Sequence, residues 1–270
     1  MTILLIVIAA ITALTLIFLL IISPSDRKHK DVDLLNGAYI AHRGLHNKEA
    51  GVPENSLLSF QKAIERGYAI EIDIHLTKDG KVVVYHDHKL ERGCGVKGRV
   101  EEKTLEELKS YRLFGTKEKI PTLEETLKAV NGNVFLLIEY KAKKNSKALC
   151  NAADKILSDY KGKYFIQSFY PQVLFWYRFH NRKVCRGLLG ADFRDKGPVK
   201  RMAGNMVFNF IARPDFIAYR HTDAKNPMRR FACWLGAERL GWTFTSQEDL
   251  NAGKKYFSGY IFEQFIPEKK

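Results

Sequence analysis

Seven ionisable side chains fall at or near the ends of short apolar runs. His42 and Arg43 follow residues 38–41, Glu71 and Asp73 lie within Ala69–Leu76, His86 follows residues 82–85, and Glu139 and Lys141 follow residues 134–138. Glu71, Asp73 and Glu139 offer hard oxygen donors, the ligand set that suits one divalent ion such as Mg²⁺ or Ca²⁺. Arg43 and Lys141 match the charge of a phosphate oxyanion. His42 and His86 can act as general base and general acid near neutral pH. Together these groups describe cleavage of a phosphodiester: the metal polarises phosphoryl oxygens, and the histidines manage the protons of nucleophile and leaving group. His46, His75, His88, His180 and His221 read as surface or supporting residues, and Asp87 as a residue that orients its neighbour.

Such a group converges only if its segments are parallel strands whose C-terminal ends share one rim. The pattern supports that arrangement. Residues 69–76 alternate, with Ile70, Ile72 and Ile74 on one face and Glu71 and Asp73 on the other. Further strands are expected at residues 38–41, 82–85, 134–138, 164–169, 184–189, 216–220 and 240–245. Helical spacing over residues 56–66, with Ser56 as N-cap and Gly67 as stop, and over residues 123–130 separates some of them. Phe175, Trp176, Tyr177 and Phe179 read as core in preference to a membrane-facing stripe. Strand–helix alternation approaching eight strands predicts an α/β fold, a TIM (β/α)8 barrel with a small insertion after the third strand, reached through the Gly- and Lys-rich residues 93–99.

An ordered series of motifs resembles the glycerophosphodiester phosphodiesterase family. It runs Ala41-His42-Arg43-Gly44, Pro53-Glu54-Asn55-Ser56, Glu71-Ile72-Asp73, Thr77-Lys78-Asp79-Gly80, His86-Asp87, Ile120-Pro121-Thr122-Leu123-Glu124-Glu125 and Glu139-Tyr140-Lys141. The resemblance implies catalytic histidines at His42 and His86, metal ligands at Glu71, Asp73 and Glu139, and phosphate binding by Arg43 and Lys141. It places Glu54, with Asn55, near the metal or behind its ligands, and Trp242 in a Trp-Thr-Phe-Thr run similar to the family's Trp-Thr-Val-Asn motif. It also implies a TIM barrel that splits small anionic glycerophosphodiesters to glycerol 3-phosphate and an alcohol. Thr245 stands where the family carries Asn, and Tyr260-Ile261-Phe262-Glu263 where its last strand ends in Thr-Asp. Two other readings remain at this stage: a lysophospholipase D-like enzyme acting on lysolipids, and a catalytically dead, membrane-tethered binding module.

Ahead of the barrel, residues 1–25 carry no charged side chain, and residues 3–22 form an apolar run broken only by two Thr. As a helix this run spans about 30 Å, the thickness of a bilayer core. It is longer than a signal peptide's apolar core and no Lys or Arg precedes it. The expected organisation is a transmembrane anchor at 1–24, a juxtamembrane linker at 25–36 and the barrel at 37–266. Arg27, Lys28 and Lys30 after the run place the folded domain on the cytoplasmic side of the cell membrane by the positive-inside rule. The four cysteines form no C-x-x-C pair, which excludes that zinc or redox motif. The net charge is +14, and the segment that opens on Arg178 and closes on Arg230 holds 13 Lys and Arg against four Asp and Glu. No nucleic-acid-binding motif accompanies it, so an anionic membrane surface is the expected partner.

Overall fold

The computed structural model describes residues 1–142, 145–193 and 196–268. Among the described residues, nine strands form one sheet: β1 (Tyr39–Ala41), β2 (Ala69–Leu76), β3 (Val82–Val84), β4 (Leu136–Tyr140), β5 (Tyr164–Ser168), β6 (Arg186–Gly190), β7 (Phe216–Arg220), β8 (Glu238–Phe244) and β9 (Gly259–Phe262). Their order is β1-β9-β8-β7-β6-β5-β4-β2-β3, and a parallel pairing of β1 with β2 closes the sheet into an eight-stranded parallel TIM barrel. The expected α/β barrel is therefore present.

One strand differs from its expected place. β3 runs antiparallel to β2, pairing His75 with Val83, and is not a stave of the barrel. The turn at Lys78–Gly80 is the reason: a parallel neighbour needs a crossover of a dozen or more residues, and this link is too short. β9 supplies the eighth stave instead. The small insertion follows β3 as expected. It carries the helices Glu91–Cys94 and Leu105–Ser110 over its own apolar cluster of Val83, Tyr85, Leu90, Val100, Leu108, Leu113 and Ile120.

Local chemistry explains the helix boundaries near the site. Ser59 N donates to Ser56 Oγ at 3.1 Å, starting the helix Leu57–Glu65, and Gly67 follows its end at φ +63°. Thr122 and Glu125 form the same reciprocal cap for Leu123–Val130. In the helix Pro171–His180, Trp176 and Tyr177 are buried, but Phe175 and Phe179 are exposed, contrary to the core assignment. One helical turn apart, they share the outward face and touch each other with ring centroids 4.8 Å apart.

The barrel floor is closed from outside. The 3-10 turn Val32–Leu35 buries Val32 and Leu35 against Ile40, Leu137, Phe165, Phe216, Leu240 and Ile261. The chain reaches this turn along the rim where strands begin: Ser25 N donates to Pro214 O (2.9 Å), His29 Nε2 to Lys183 O (2.9 Å), and Lys163 Nζ pairs with Asp31 (2.8 Å). Before it stands the helix Thr2–Ile22, exposed along most of its length and long and apolar enough to cross a membrane. Its end is held by Asn209 Nδ2 donating to Ile22 O (2.7 Å) and by an Arg213 guanidinium N–H donating to Ser23 O (2.9 Å).

Candidate active site

The even-register residues of β2 pack outward on the helices, so Glu71, Asp73 and His75 point into the barrel. Parallel pairing sets Asp73 beside Glu139 of β4, and all three carboxylates, Glu71, Asp73 and Glu139, are buried with ligand oxygens within 4.8 Å of one another. Lys141 Nζ lies 2.9 Å from Asp73 Oδ1 and 2.6 Å from Glu139 Oε1. Glu71 Oε2 accepts from the Arg43 backbone N–H at 3.1 Å, while Glu71 Oε1 is buried without a hydrogen-bond partner.

Electrostatics divides the three carboxylates. Burial, reinforced by Asp73 and Glu139, raises the pKa of Glu71 well above the usual range. Burial also pushes Glu139 up to about 7, against the pull of Lys141. At Asp73 burial acts the same way, but Lys141, His86 and Arg43 outweigh it and hold the group below its usual value. Three buried acids with an orphaned oxygen are short of positive charge. An all-oxygen set of this kind fits a hard divalent ion.

His42 follows β1, with its N–H on Phe262 O (2.9 Å). Its Nδ1 donates to Glu263 Oε2 at 2.7 Å, and Nε2 is 4.0 Å from Glu71 Oε2. Burial lowers the pKa of His42, opposed by the Glu263 hydrogen bond. Arg43 turns at φ +56° and Gly44 at φ +80°, where a Cβ would collide with Ser59; only glycine fits this turn. The Arg43 guanidinium donates to Glu54 Oε1 (2.9 Å) and its Nε lies 3.5 Å from Asp73 Oδ2. Asn55 Nδ2 donates to the same Asp73 oxygen at 2.9 Å.

His86 enters from β3 on the far side. Its Nδ1 pairs with Asp87 Oδ1 (2.5 Å), Asp87 Oδ2 takes Arg92 Nε (2.5 Å), and Arg92 grips both oxygens of Glu54 (2.6 and 3.0 Å). A continuous polar chain thus joins His86 to Arg43. Burial, with Lys141 and Arg43 nearby, lowers the His86 pKa to about 4. Trp242 Nε1 donates to Ala218 O (3.1 Å), and its ring meets Phe169 edge-on.

Among the eleven site residues expected from sequence, His42, Arg43, Glu71, His86, Glu139, Lys141 and Trp242 line one cavity of about 240 Å³ at the C-terminal rim. Asp73, Glu54 and Asn55 lie directly behind it in the bonds just described, and Asp87 behind His86. Two residues were missed: Glu263, whose signal was a carboxylate closing the last strand, and Arg92, in the insertion, for which no local pattern existed. His75 is not a surface residue; it is fully buried.

The sequence model of the glycerophosphoryl diester phosphodiesterase family matches residues 42–205. The chain is 42% identical over 111 residues to a glycerophosphodiester phosphodiesterase of Caldanaerobacter subterraneus, covering 38% of this chain and 44% of that protein. It is 31% identical over 162 residues to human glycerophosphodiester phosphodiesterase 1, covering 55% of this chain and 47% of that one. The matched stretches thus span less than half the length of these relatives. Among solved structures, a glycerophosphodiester phosphodiesterase of Thermotoga maritima superposes with a TM-score of 0.65 at 27% identity over 83% of this chain and 93% of its own. An Oleispira antarctica phosphodiesterase, solved with sn-glycerol-3-phosphate, shares the fold with a TM-score of 0.71 at 21% identity over 86% and 94%.

Proposed function

The chain belongs to the glycerophosphoryl diester phosphodiesterase family, and on that footing we propose that it hydrolyses glycerophosphodiesters to glycerol 3-phosphate and an alcohol, as part of lipid metabolism. The observation that carries this reading is the convergence of two histidines, two cations and three acids at one cavity at the strand ends.

Glu71, Asp73 and Glu139 would hold one Mg²⁺ or Ca²⁺, which when bound supplies Lewis-acid charge to the phosphoryl oxygens. Arg43 and Lys141 add fixed positive charge at the same place, so the phosphate is oriented by groups already in position. Glu263 accepts the Nδ1–H hydrogen bond of His42 and leaves Nε2 free to exchange a proton. Asp87, braced by Arg92, orients His86 through Nδ1 in the same way. One histidine removes the proton of the nucleophile, water or a glycerol hydroxyl of the substrate; the other delivers a proton to the leaving alkoxide.

The proposed organisation is an anchor at 1–24, a linker at 25–36 and a barrel at 37–266, with the anchor crossing the cell membrane once and the barrel in the cytoplasm. Contact with anionic lipid falls to Arg178, Arg182, Lys183 and Arg213, which stand at the rim where the anchor joins. Arg186 and Arg229 of the same basic segment are buried and take no part; residues 194 and 195 lie outside the described residues. Release of glycerol 3-phosphate from glycerophosphocholine by the full chain tests the activity. Turnover of lysophosphatidylcholine alone would overturn the substrate assignment, and no turnover of either would overturn the enzyme reading.

A further inference from the structure

A second group of metal-ligating side chains lies between β2 and the insertion, separate from the three carboxylates. His75 is the last inward-facing residue of β2, His88 follows His86 and Asp87, and Glu101 sits in the 3-10 turn Val100–Glu102. A ring nitrogen of each histidine and a carboxylate oxygen of Glu101 lie within 4.8 Å of one another.

The imidazole of His75 is fixed. Its Nε2 donates to the His86 carbonyl at 3.2 Å, so the neutral ring carries its lone pair on Nδ1. That nitrogen is fully buried and makes no hydrogen bond; Glu101 Oε1 faces it at 3.7 Å. His88 Nδ1 contacts the same oxygen, and the two rings meet edge-on with centroids 4.9 Å apart. A buried lone pair facing a carboxylate calls for positive charge between them. A proton would leave a charged ring in a wholly buried position. A metal ion would be shared by all three side chains. Arg99 Nε, 3.6 Å from Glu101 Oε2, steadies the carboxylate from its outer side and leaves Oε1 to the imidazoles.

We propose that His75, His88 and Glu101 form a second cation site, for a borderline transition ion of the Zn²⁺ type. Two imidazole nitrogens and one carboxylate suit such an ion, whereas Mg²⁺ and Ca²⁺ prefer oxygen throughout. Ligand atoms in a tetrahedral zinc site stand about 3.4 Å apart. Reaching that spacing moves only His88 and Glu101, which are partly exposed, while His75 stays in place. His88 also lines a cleft of about 660 Å³, shared with His86 and Lys141, which gives an ion access. The ion would pin the insertion to β2 and, through the His75–His86 hydrogen bond, hold the loop that presents His86.

The test uses the full-length chain in detergent, stripped by chelator, held in excess Mg²⁺ and titrated with Co²⁺ and then Zn²⁺. The expected result is one equivalent of Co²⁺ with visible absorption of a low-coordinate ion, displaced by Zn²⁺. H88A and E101Q, with folding checked by circular dichroism, should bind Co²⁺ at least tenfold more weakly, and D73N should keep the signal. The proposal fails if wild type takes up no such equivalent, if both H88A and E101Q bind as wild type does, or if D73N abolishes the signal.

Discussion

Glu263 grips His42 by Nδ1, which in the proposed mechanism leaves the other ring nitrogen for chemistry. Truncating it would free the ring to turn and to change tautomer without removing the nitrogen proposed to react. E263A should therefore lower kcat on glycerophosphocholine by on the order of 10²-fold with little change in KM, while H42A and H86A should each lose about 10³-fold or more. Steady-state kinetics on folded variants checks this, and a wild-type rate in H42A or H86A would sink the two-histidine mechanism. Chelation with EDTA should stop turnover and added Mg²⁺ or Ca²⁺ restore it; E71Q should need far more ion for half-recovery, because it removes the charge of a carboxylate whose Oε1 is buried without a hydrogen-bond partner. Chelator-resistant turnover would remove the metal from the mechanism. At this scale the sequence was informative wherever one segment carried the signal: the two-residue period of Ala69–Leu76 put Glu71 and Asp73 on one face before any fold was known. Glu263 and His42 are 221 residues apart, and only barrel closure by β9 against β1 brings them together.

Among the elements, the 3-10 turn Val32–Leu35 contributes more than its length suggests, because it fills the open end of the strand cylinder. L35A should destabilise the barrel by about 2–4 kcal/mol, as a buried leucine truncation does, read as a lowered midpoint of chemical denaturation. A midpoint equal to wild type would show that the floor closes without it. Periodicity marked residues 82–85 as a strand but could not say which partner it would take. The short turn before it decided the matter, since a hairpin and a crossover differ in link length and not in strand composition. The stripe of Phe175 and Phe179 was ambiguous for a related reason: helical spacing shows that two residues share a face, not which way that face points.

For the whole molecule, the basic excess resolves into buried charges, ion-paired charges and a group at the strand-start rim. Arg186 lies near Asp215, Arg220 pairs with Asp223, and Arg178, Arg182 and Lys183 gather near the end of the helix Pro171–His180. In a chain beginning at Ser23, R178E, R182E and K183E together should weaken co-sedimentation with anionic vesicles by roughly 10²-fold or more, at about 1 kcal/mol for each charge lost. Unchanged sedimentation would remove the membrane-docking role. The segment 23–35 joins the barrel at the rim where strands start, and the candidate active site opens at the rim where they end. A vessel fastened by its base keeps its mouth turned outward. With the proposed anchor in the bilayer, substrate would arrive by free diffusion through the aqueous compartment rather than by lateral search within the lipid sheet. The capture rate would follow the dissolved concentration of headgroup diesters and stay indifferent to how tightly the surrounding lipids are packed.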